Sequence, residues 1–222
     1  MLERLLPDGV ACAEAFADRP EAVLFPQELA LLARATDKRR REFSTARDCA
    51  HRALTALGAA PAPILRGERG APQWPAGIVG SITHCPGYHG AAVAWASQVL
   101  TIGLDAEPDE ALPDGVLQRV SLPAERDRLR ALTAAAPGTS WDRLLFSAKE
   151  ATYKAWFPLA RRWLGFGDAD ITISPADGTF HVRLLVEPPP VTAPGQAPLA
   201  AFSGRWLAAS GLLLTTCVQH RI

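Results

Sequence analysis

The sequence predicts an α+β fold made of two halves of similar size, and three observations lead to this prediction. A helical pattern is followed by strand patterns in the first half, and helical patterns are again followed by strand patterns in the second. The change comes just beyond Glu107, where Pro108 opens a polar connection. The 222 residues, of which 48% are hydrophobic, suffice for two small domains with their own cores. We therefore expect one lobe over residues 1–107 and another over residues 108–222, although the two show no sequence repeat.

The first half is predicted to hold one main helix and three strands. Between Gln27 and Leu57 the chain is rich in Ala, Leu and Arg, and Gly58 is placed to end the helix. Apolar residues recur at helical spacing in its second part, which predicts a core-facing stripe: Phe43, Ala46, Ala50, Ala53, Leu54 and Leu57. Strand patterns follow over 77–84, 90–97 and 99–107, and the short gap between the last two predicts a hairpin.

The second half is predicted to hold two helices followed by four strands. One helix begins near Pro123, and the next covers 140–157 with Ser140 as its candidate N-cap. Strand patterns cover 169–174, 178–186, 199–210 and 211–219. A Pro-rich connection over 187–198 separates the middle two.

The composition argues against several classes of function. Lys plus Arg and Asp plus Glu both number 23, so the formal net charge is zero and nothing global attracts nucleic acid or an anionic membrane. The N-terminal segment lacks the unbroken apolar core of a signal peptide, and the longest apolar runs are too short to cross a bilayer. The four cysteines have no CxxC pairing, which is typical of reduced thiols. We therefore expect a cytoplasmic protein.

Two carboxylates, Asp105 and Glu107, end a predicted strand in the stretch IGLDAEP. Because residues two apart in a strand point to the same face, both carboxylates are aimed at one point. Like charges this close repel each other, and a hard divalent cation such as Mg²⁺ or Mn²⁺ would relieve the repulsion. The alternative is a solvated strand end whose acids face water.

The stretch FSAKEATYKAW adds a third carboxylate and two lysines. Glu150 and Lys154 lie at i and i+4 and share one helix face, whereas Lys149 lies about 100° around the helix from Glu150. An ordinary surface Glu–Lys pair is the alternative. Apolar neighbours such as Phe146 and Trp156 favour burial, and buried charges need partners. A metal ion for Glu150 and a phosphate for the lysines would be such partners.

Further phosphate ligands are predicted upstream of these motifs. The stretch GSITH places His84 at a strand end beside the hydroxyls of Ser81 and Thr83, which are good donors to phosphate. A basic set can bind phosphate through guanidinium groups: Arg39, Arg47, Arg66 and Arg69. A structural histidine and a solvated helix face are the simpler alternatives. Combined with the acids, these residues indicate metal-assisted chemistry on a polyphosphate-like substrate.

The motifs GSITH, GLDAE and FSAKEATYKAW, in this order and spacing, resemble the signatures of the 4′-phosphopantetheinyl transferases. The resemblance is to the large, two-lobed type, and FSTARDCAHRALTALG and GAPQWPAG resemble upstream signatures of its enterobactin-associated subgroup. The family transfers the phosphopantetheine arm of coenzyme A to a serine of an apo acyl or peptidyl carrier protein and releases 3′,5′-ADP. The resemblance therefore implies a pseudo-twofold pair of α+β lobes with coenzyme A in the cleft between them, working as a monomer.

The resemblance also implies a role for each motif residue. Asp105, Glu107 and Glu150 would hold Mg²⁺ against the pyrophosphate, while Ala106 between the first two offers no side-chain ligand. Contacts with coenzyme A would come from the following side chains: Arg39, Arg47, Arg66, Thr83, His84, Lys149 and Lys154. Of these, His84 and Lys154 would also serve catalysis together with Glu150, the expected general base for the carrier serine, acting directly or through a metal-bound water.

Two other functions are open on the same residues. One is a Mg²⁺-dependent nuclease, against which the neutral net charge argues. The other is a catalytically silent protein that binds coenzyme A or a carrier protein. The intact set of three acids and Lys154 argues against it, because a binding protein has no need of the base.

Overall fold

The N-terminal half of the chain is one long helix packed on a three-stranded antiparallel sheet. The computed structural model describes residues 1–189 and 199–221. The elements of this half are β1 (Val10–Ala15), α1 (Pro26–Ala30), α2 (Asp37–Ala56), β2 (Leu65–Arg66), β3 (Pro72–Gln73), β4 (Ile78–Cys85) and β5 (Tyr88–Trp95). The hydroxyl of Thr36 caps α2 by accepting a hydrogen bond from the amide of Arg39. The apolar stripe of α2 packs on a sheet with strand order β1-β5-β4, of which β1 was not predicted.

The C-terminal half repeats this plan with a larger sheet. Its elements are β6 (Val99–Pro108), α3 (Val116–Val120), α4 (Pro123–Ala135), α5 (Trp141–Ala160), β7 (Ala169–Ser174), β8 (Thr179–Leu184), β9 (Ala201–Ala209) and β10 (Leu212–His220). The strands form an antiparallel sheet in the order β6-β10-β9-β8-β7. The two long helices, α2 and α5, each have 20 residues. The predicted α+β class with a helix-on-sheet unit in each half is confirmed.

The predicted hairpin between β5 and β6 is wrong. Strand β6 instead pairs with β10, so that Asp105 lies opposite Thr215 in the C-terminal sheet. The short gap after Ala96 allows a hairpin, but β6 is buried on both faces and its pairing is decided by long-range packing. The strand predicted to close the first lobe therefore belongs to the sheet of the second.

Side chains of β4 complete the free edge of β6. The hydroxyls of Ser81 and Thr83 accept hydrogen bonds from the amides of Leu104 and Ala106, at 3.1 and 3.0 Å. Buried amides without a partner are strongly disfavoured, so these two bonds fix the position of β4 against β6. Small apolar clusters between the two sheets, including Leu104, support the same contact.

None of the helices in the described ranges combines the length and apolar content needed to cross a bilayer. The Pro-rich connection predicted over 187–198 falls outside the described residues beyond Pro189.

Candidate active site

The acids of β6 meet helix α5 because the strand and the helix approach very closely at Gly103. A Cβ atom added there would lie 1.8 Å from the carbonyl oxygen of Ala151. The hydroxyl of Thr101 adds a hydrogen bond of 2.7 Å to the carbonyl oxygen of Ala155. Only glycine permits this approach. It brings Asp105, two residues further along the same face, next to the middle of α5.

Asp105 is a buried carboxylate that is only partly satisfied. Its Oδ1 accepts a hydrogen bond of 2.8 Å from the ammonium of Lys154, which also donates to the carbonyl of Leu104. Thr83 donates a longer bond of 3.4 Å to the same oxygen. The second oxygen, Oδ2, is buried and has no hydrogen-bond partner within the described residues. A buried, unpartnered carboxylate oxygen calls for a cation or a ligand donor.

The other two predicted metal ligands lie within electrostatic range of Asp105. Burial and the charge of Asp105 raise the pKa of Glu150, and the same two causes, in the same order, raise the pKa of Glu107. Glu107 accepts a hydrogen bond of 3.0 Å from Arg143, which opposes the rise. Both shifts express repulsion between each of these carboxyl groups and Asp105.

The donor set fits a hard divalent cation. It offers carboxylate oxygens alone, as Mg²⁺ and Mn²⁺ prefer, and one of these oxygens is buried without a partner. As the side chains stand, no three His, Cys, Asp or Glu residues of the described ranges are grouped as a ready metal site. Lys154 and Arg143 hold two of the carboxylates instead, Lys154 at Oδ1 of Asp105 and Arg143 at Oε2 of Glu107.

Predicted phosphate ligands from α2 and β4 also meet. Nε2 of His84 lies 3.5 Å from a guanidinium nitrogen of Arg39 and 3.7 Å from a carboxylate oxygen of Glu42. Burial lowers the pKa of His84, Glu42 opposes this, and Arg39, His89 and Lys154 add to the lowering. His84 is therefore within electrostatic range of Lys154, which links the two groups of residues.

The remaining predicted arginines have different surroundings. Arg47 is buried, with its Nε donating to the carbonyl of Ile64 at 2.8 Å and its guanidinium over the ring of Phe43. Burial lowers the pKa of Arg47 to about 10, so it stays charged at neutral pH. Arg66 is exposed at the end of β2 and lies against Gly70.

A cavity of about 610 Å³ opens beside these groups. Its walls come from the loop 67–74, from β4 and β6, and from α5. Its lining mixes charged side chains, among them Glu150 and Lys154, with apolar ones such as Trp74 and Phe157. Such a mixed lining suits a ligand that has both apolar and charged parts.

The structure contradicts the predicted role of Lys149. Its side chain is 2% exposed, and its ammonium donates to the carbonyls of Phe166 and Ala169 at 2.6 and 2.7 Å. The third donor is used by Glu125, at 2.9 Å. An ammonium has three donors, so none remains for a phosphate. Lys149 misses the cleft because it lies about 100° around α5 from Glu150.

Thr83 also has a role other than the predicted one. Its hydroxyl is buried, accepts the Ala106 amide and has its only proton directed at Asp105. A hydroxyl has one proton to donate, so Thr83 orients Asp105 and does not bind phosphate in this arrangement.

Arg143 is a site residue that the sequence reasoning missed. It lies seven residues before Glu150, two turns away on the same side of α5, and holds Glu107. That spacing was a readable signal. Arg143 lies outside the motif FSAKEATYKAW, which carries the resemblance.

Two family models match this chain. The 4′-phosphopantetheinyl transferase N-terminal domain matches residues 27–94, and the 4′-phosphopantetheinyl transferase superfamily matches residues 101–206. Among similar proteins, 4′-phosphopantetheinyl transferase Svp of Streptomyces mobaraensis is 51% identical, over 97% of this chain and 87% of its own. The transferase Npt of Nocardia iowensis is 51% identical over 97% and 98% of the two chains.

A third relative, 4′-phosphopantetheinyl transferase PptT of Mycobacterium tuberculosis, is 50% identical over 95% of this chain and 92% of its own. With all three relatives the match extends over nearly the whole of this chain. The chain belongs to the 4′-phosphopantetheinyl transferase superfamily and is an enzyme that attaches the phosphopantetheine arm of coenzyme A to carrier proteins.

Proposed function

We propose that Asp105, Glu107 and Glu150 hold one Mg²⁺ during this transfer and that Lys154, His84 and Arg39 bind phosphate groups of coenzyme A. The observation that carries the proposal is the buried, unpartnered Oδ2 of Asp105 beside carboxyl groups of raised pKa. A divalent ion bound by these oxygens supplies the charge that neutralises the pyrophosphate.

Glu150 acts as the general base in this proposal. It takes the proton from the hydroxyl of the carrier serine, whose oxygen then forms a bond to the phosphorus that bears the pantetheine arm. The bond from that phosphorus to 3′,5′-ADP breaks. Glu150 lines the cleft, which places its carboxylate where a bound substrate can reach it.

Lys154 and His84 act on the phosphates. The Lys154 ammonium, already 2.8 Å from Asp105, is placed to stabilise negative charge that develops on the 5′-phosphate of the leaving 3′,5′-ADP. His84 and Arg39 come from the other lobe and would hold the adenosine end with its 3′-phosphate, with help from Arg47 and Arg66. Because the two groups belong to different sheets, the cleft between them positions the substrate along its length.

We also propose how the chain divides into two lobes. We place the lobe boundary in the turn between β5 and β6, rather than after Glu107, since β6 pairs with β10 and the two family models divide between residues 94 and 101. With both lobes in one chain, the enzyme works as a monomer in the cytoplasm, without nucleic acid or membrane as a partner. We further propose that it belongs to the enterobactin-associated subgroup, which the upstream motifs support, and that its acceptors are apo acyl or peptidyl carrier proteins.

The experiment is a transfer assay with matched carboxylate variants. The protein is mixed with coenzyme A, Mg²⁺ and an apo carrier protein, and the carrier is weighed by mass spectrometry for a gain of one phosphopantetheine. Asp105→Asn and Glu150→Gln should abolish the gain while the proteins stay folded. Asp177→Asn removes an exposed carboxylate in the turn after β7 and should leave it unchanged.

Three results would overturn the proposal. Full transfer by both Asp105→Asn and Glu150→Gln would remove the assigned site. Binding of coenzyme A without mass gain on any of several carriers would favour a silent binding protein, and cleavage of DNA under the same conditions would favour the nuclease.

A further inference from the structure

Each half of the chain contains a buried glutamate at the start of a short helix, in a local sequence repeat. Helix α1 begins in the sequence FPQE and helix α4 in LPAE, and the glutamates are Glu28 and Glu125. In both helices the residue before Pro is the N-cap and the glutamate is the third residue. The expectation of no repeat between the halves was therefore wrong at this motif.

The two glutamates make matching hydrogen bonds. Oε2 accepts the amide of the helix N-cap residue, from Phe25 at 3.0 Å and from Leu122 at 2.7 Å. Oε1 accepts the amide of a residue far along the chain, from Ile64 at 2.9 Å and from Ile171 at 2.8 Å. Glu28 and Glu125 are 0% and 1% exposed. Each glutamate thus joins a short helix to a distant segment of its own half.

Each glutamate also pairs with a basic side chain on the long helix of its half. Glu28 contacts Nε2 of His51 on α2 at 3.0 Å, and Glu125 contacts the ammonium of Lys149 on α5 at 2.9 Å. The C-terminal pair is the tighter anchor, because Lys149 also donates to the carbonyls of Phe166 and Ala169 just before and at the start of β7. Helix α5 is thereby fixed to α4 and β7 at one residue.

This anchor lies next to the proposed base in the sequence. Successive residues of a helix are rotated by about 100°, so holding Lys149 inward determines the direction in which Glu150 points. Lys154 lies four residues beyond Glu150 on the same face and is set by the same rotation. Lys149, which holds the helix, is therefore next to Glu150 in the sequence but does not share the face on which Glu150 and Lys154 line the cleft.

We propose that Glu125 and Lys149 are positioning residues for catalysis, which set the rotation of α5 so that Glu150 and Lys154 face Asp105. This inference rests on the roles proposed above for Glu150 and Lys154. Lys149 then belongs to the scaffold that orients Glu150 and does not contact coenzyme A.

The test compares Lys149→Met, Glu125→Gln and the double variant in the carrier-transfer assay. Each single variant should lower kcat by about 10²-fold, the loss typical of a reacting group displaced by about 1 Å. The KM for coenzyme A should stay unchanged, because neither residue touches the ligand. The double variant should be no slower than the single ones, since both changes remove the same interaction.

A second measurement separates positioning from stability. Removing one member of a buried ion pair leaves the other charge uncompensated, so the single variants can unfold, whereas the double variant leaves no unpaired charge. The double variant should therefore melt above the single variants and still be slow, although below the wild type, because the carbonyls of Phe166 and Ala169 lose their donor. A double variant that is stable and has full kcat would overturn the proposal, because the pair would then serve stability alone.

Two further variants complete the design. Arg128→Gln removes a tie from α4 to Asp170 and to the carbonyl of Ile171 on β7 without touching α5, and should leave kcat unchanged. Glu150→Gln tests the base itself.

If Glu150→Gln is inactive while Lys149→Met and Glu125→Gln turn over normally, this inference fails and the proposed function stands. If Glu150→Gln is fully active, the proposed function fails. A raised KM for coenzyme A in Lys149→Met alone would show that Lys149 is a ligand.

Discussion

Replacing Gly103 by alanine should separate the two elements that form the active site. The added Cβ would lie 1.8 Å from the carbonyl oxygen of Ala151, whereas ordinary contact begins at 3.4 Å. The backbone of α5 must retreat by the 1.6 Å difference, because the opposing atoms are helix backbone and cannot turn aside. That displacement would break the approach of Lys154 and Glu150 to Asp105.

The size of the effect follows from this shift. Overpacking a tight core costs about 1–3 kcal/mol of the free energy of unfolding. A misplacement of about 1 Å costs about 10²-fold in rate, so we expect Gly103→Ala to lose at least that factor in kcat. The loss should be much larger than the unfolded fraction accounts for, because the folded molecules themselves carry a distorted site.

The assay is carrier mass gain at saturating coenzyme A, combined with thermal melting of the same samples. Gly167→Ala is the neutral control, since its Cβ would meet nothing within 4 Å. Gly204→Ala is the destabilised control, since its Cβ would lie 2.0 Å from the ring of Phe180, in the same sheet but away from the acids. Gly103→Ala with wild-type melting and wild-type kcat would refute the reasoning. So would a loss of kcat per folded molecule as great in Gly204→Ala as in Gly103→Ala.

Two further predictions concern the solution behaviour of buried groups. Burial lowers the pKa of His89 below its ordinary 6.5, so the unfolded chain binds more protons below that pH, and the free energy of unfolding should fall as the pH drops from 7 to 5. In denaturant titrations at several pH values across this range, the free energy of unfolding of His89→Phe should change less with pH than that of the wild type. An equal pH dependence in the two proteins would contradict the assignment. Burial raises the pKa of the thiols of Cys12 and Cys49 to about 11, and of Cys85 and Cys217 to about 12, so alkylation at pH 8 should be slow until the protein unfolds. Rapid labelling of the native protein would count against this.

The acids and the long helices were predictable because local rules decide them. Alternation along a strand puts Asp105 and Glu107 on one face, and helical spacing puts Glu150 with Lys154. The start of α4 at Pro123 also follows from a local preference. Arg143 was open to the same reasoning, since its separation from Glu150 is two helical turns.

The errors lie where two residues with the same chemistry have different distant neighbours. Lys149 and Lys154 are both cations of one helix, yet one is enclosed by Glu125 and two carbonyls while the other reaches Asp105. Thr83 has a hydroxyl that could donate a hydrogen bond to phosphate, but this hydroxyl is bound to the Ala106 amide at the free edge of β6. No local pattern distinguishes these outcomes.

By itself, the sequence determined the α+β class, the motifs that identify the family, and the face of strand or helix on which each charged group lies. Only the tertiary structure decided which groups meet across those faces: β6 with β10, Lys149 with Glu125, and α5 with the backbone at Gly103. The physical reason is that backbone periodicity sets the direction of a side chain, whereas its partner is set by the packing of segments far apart in the chain.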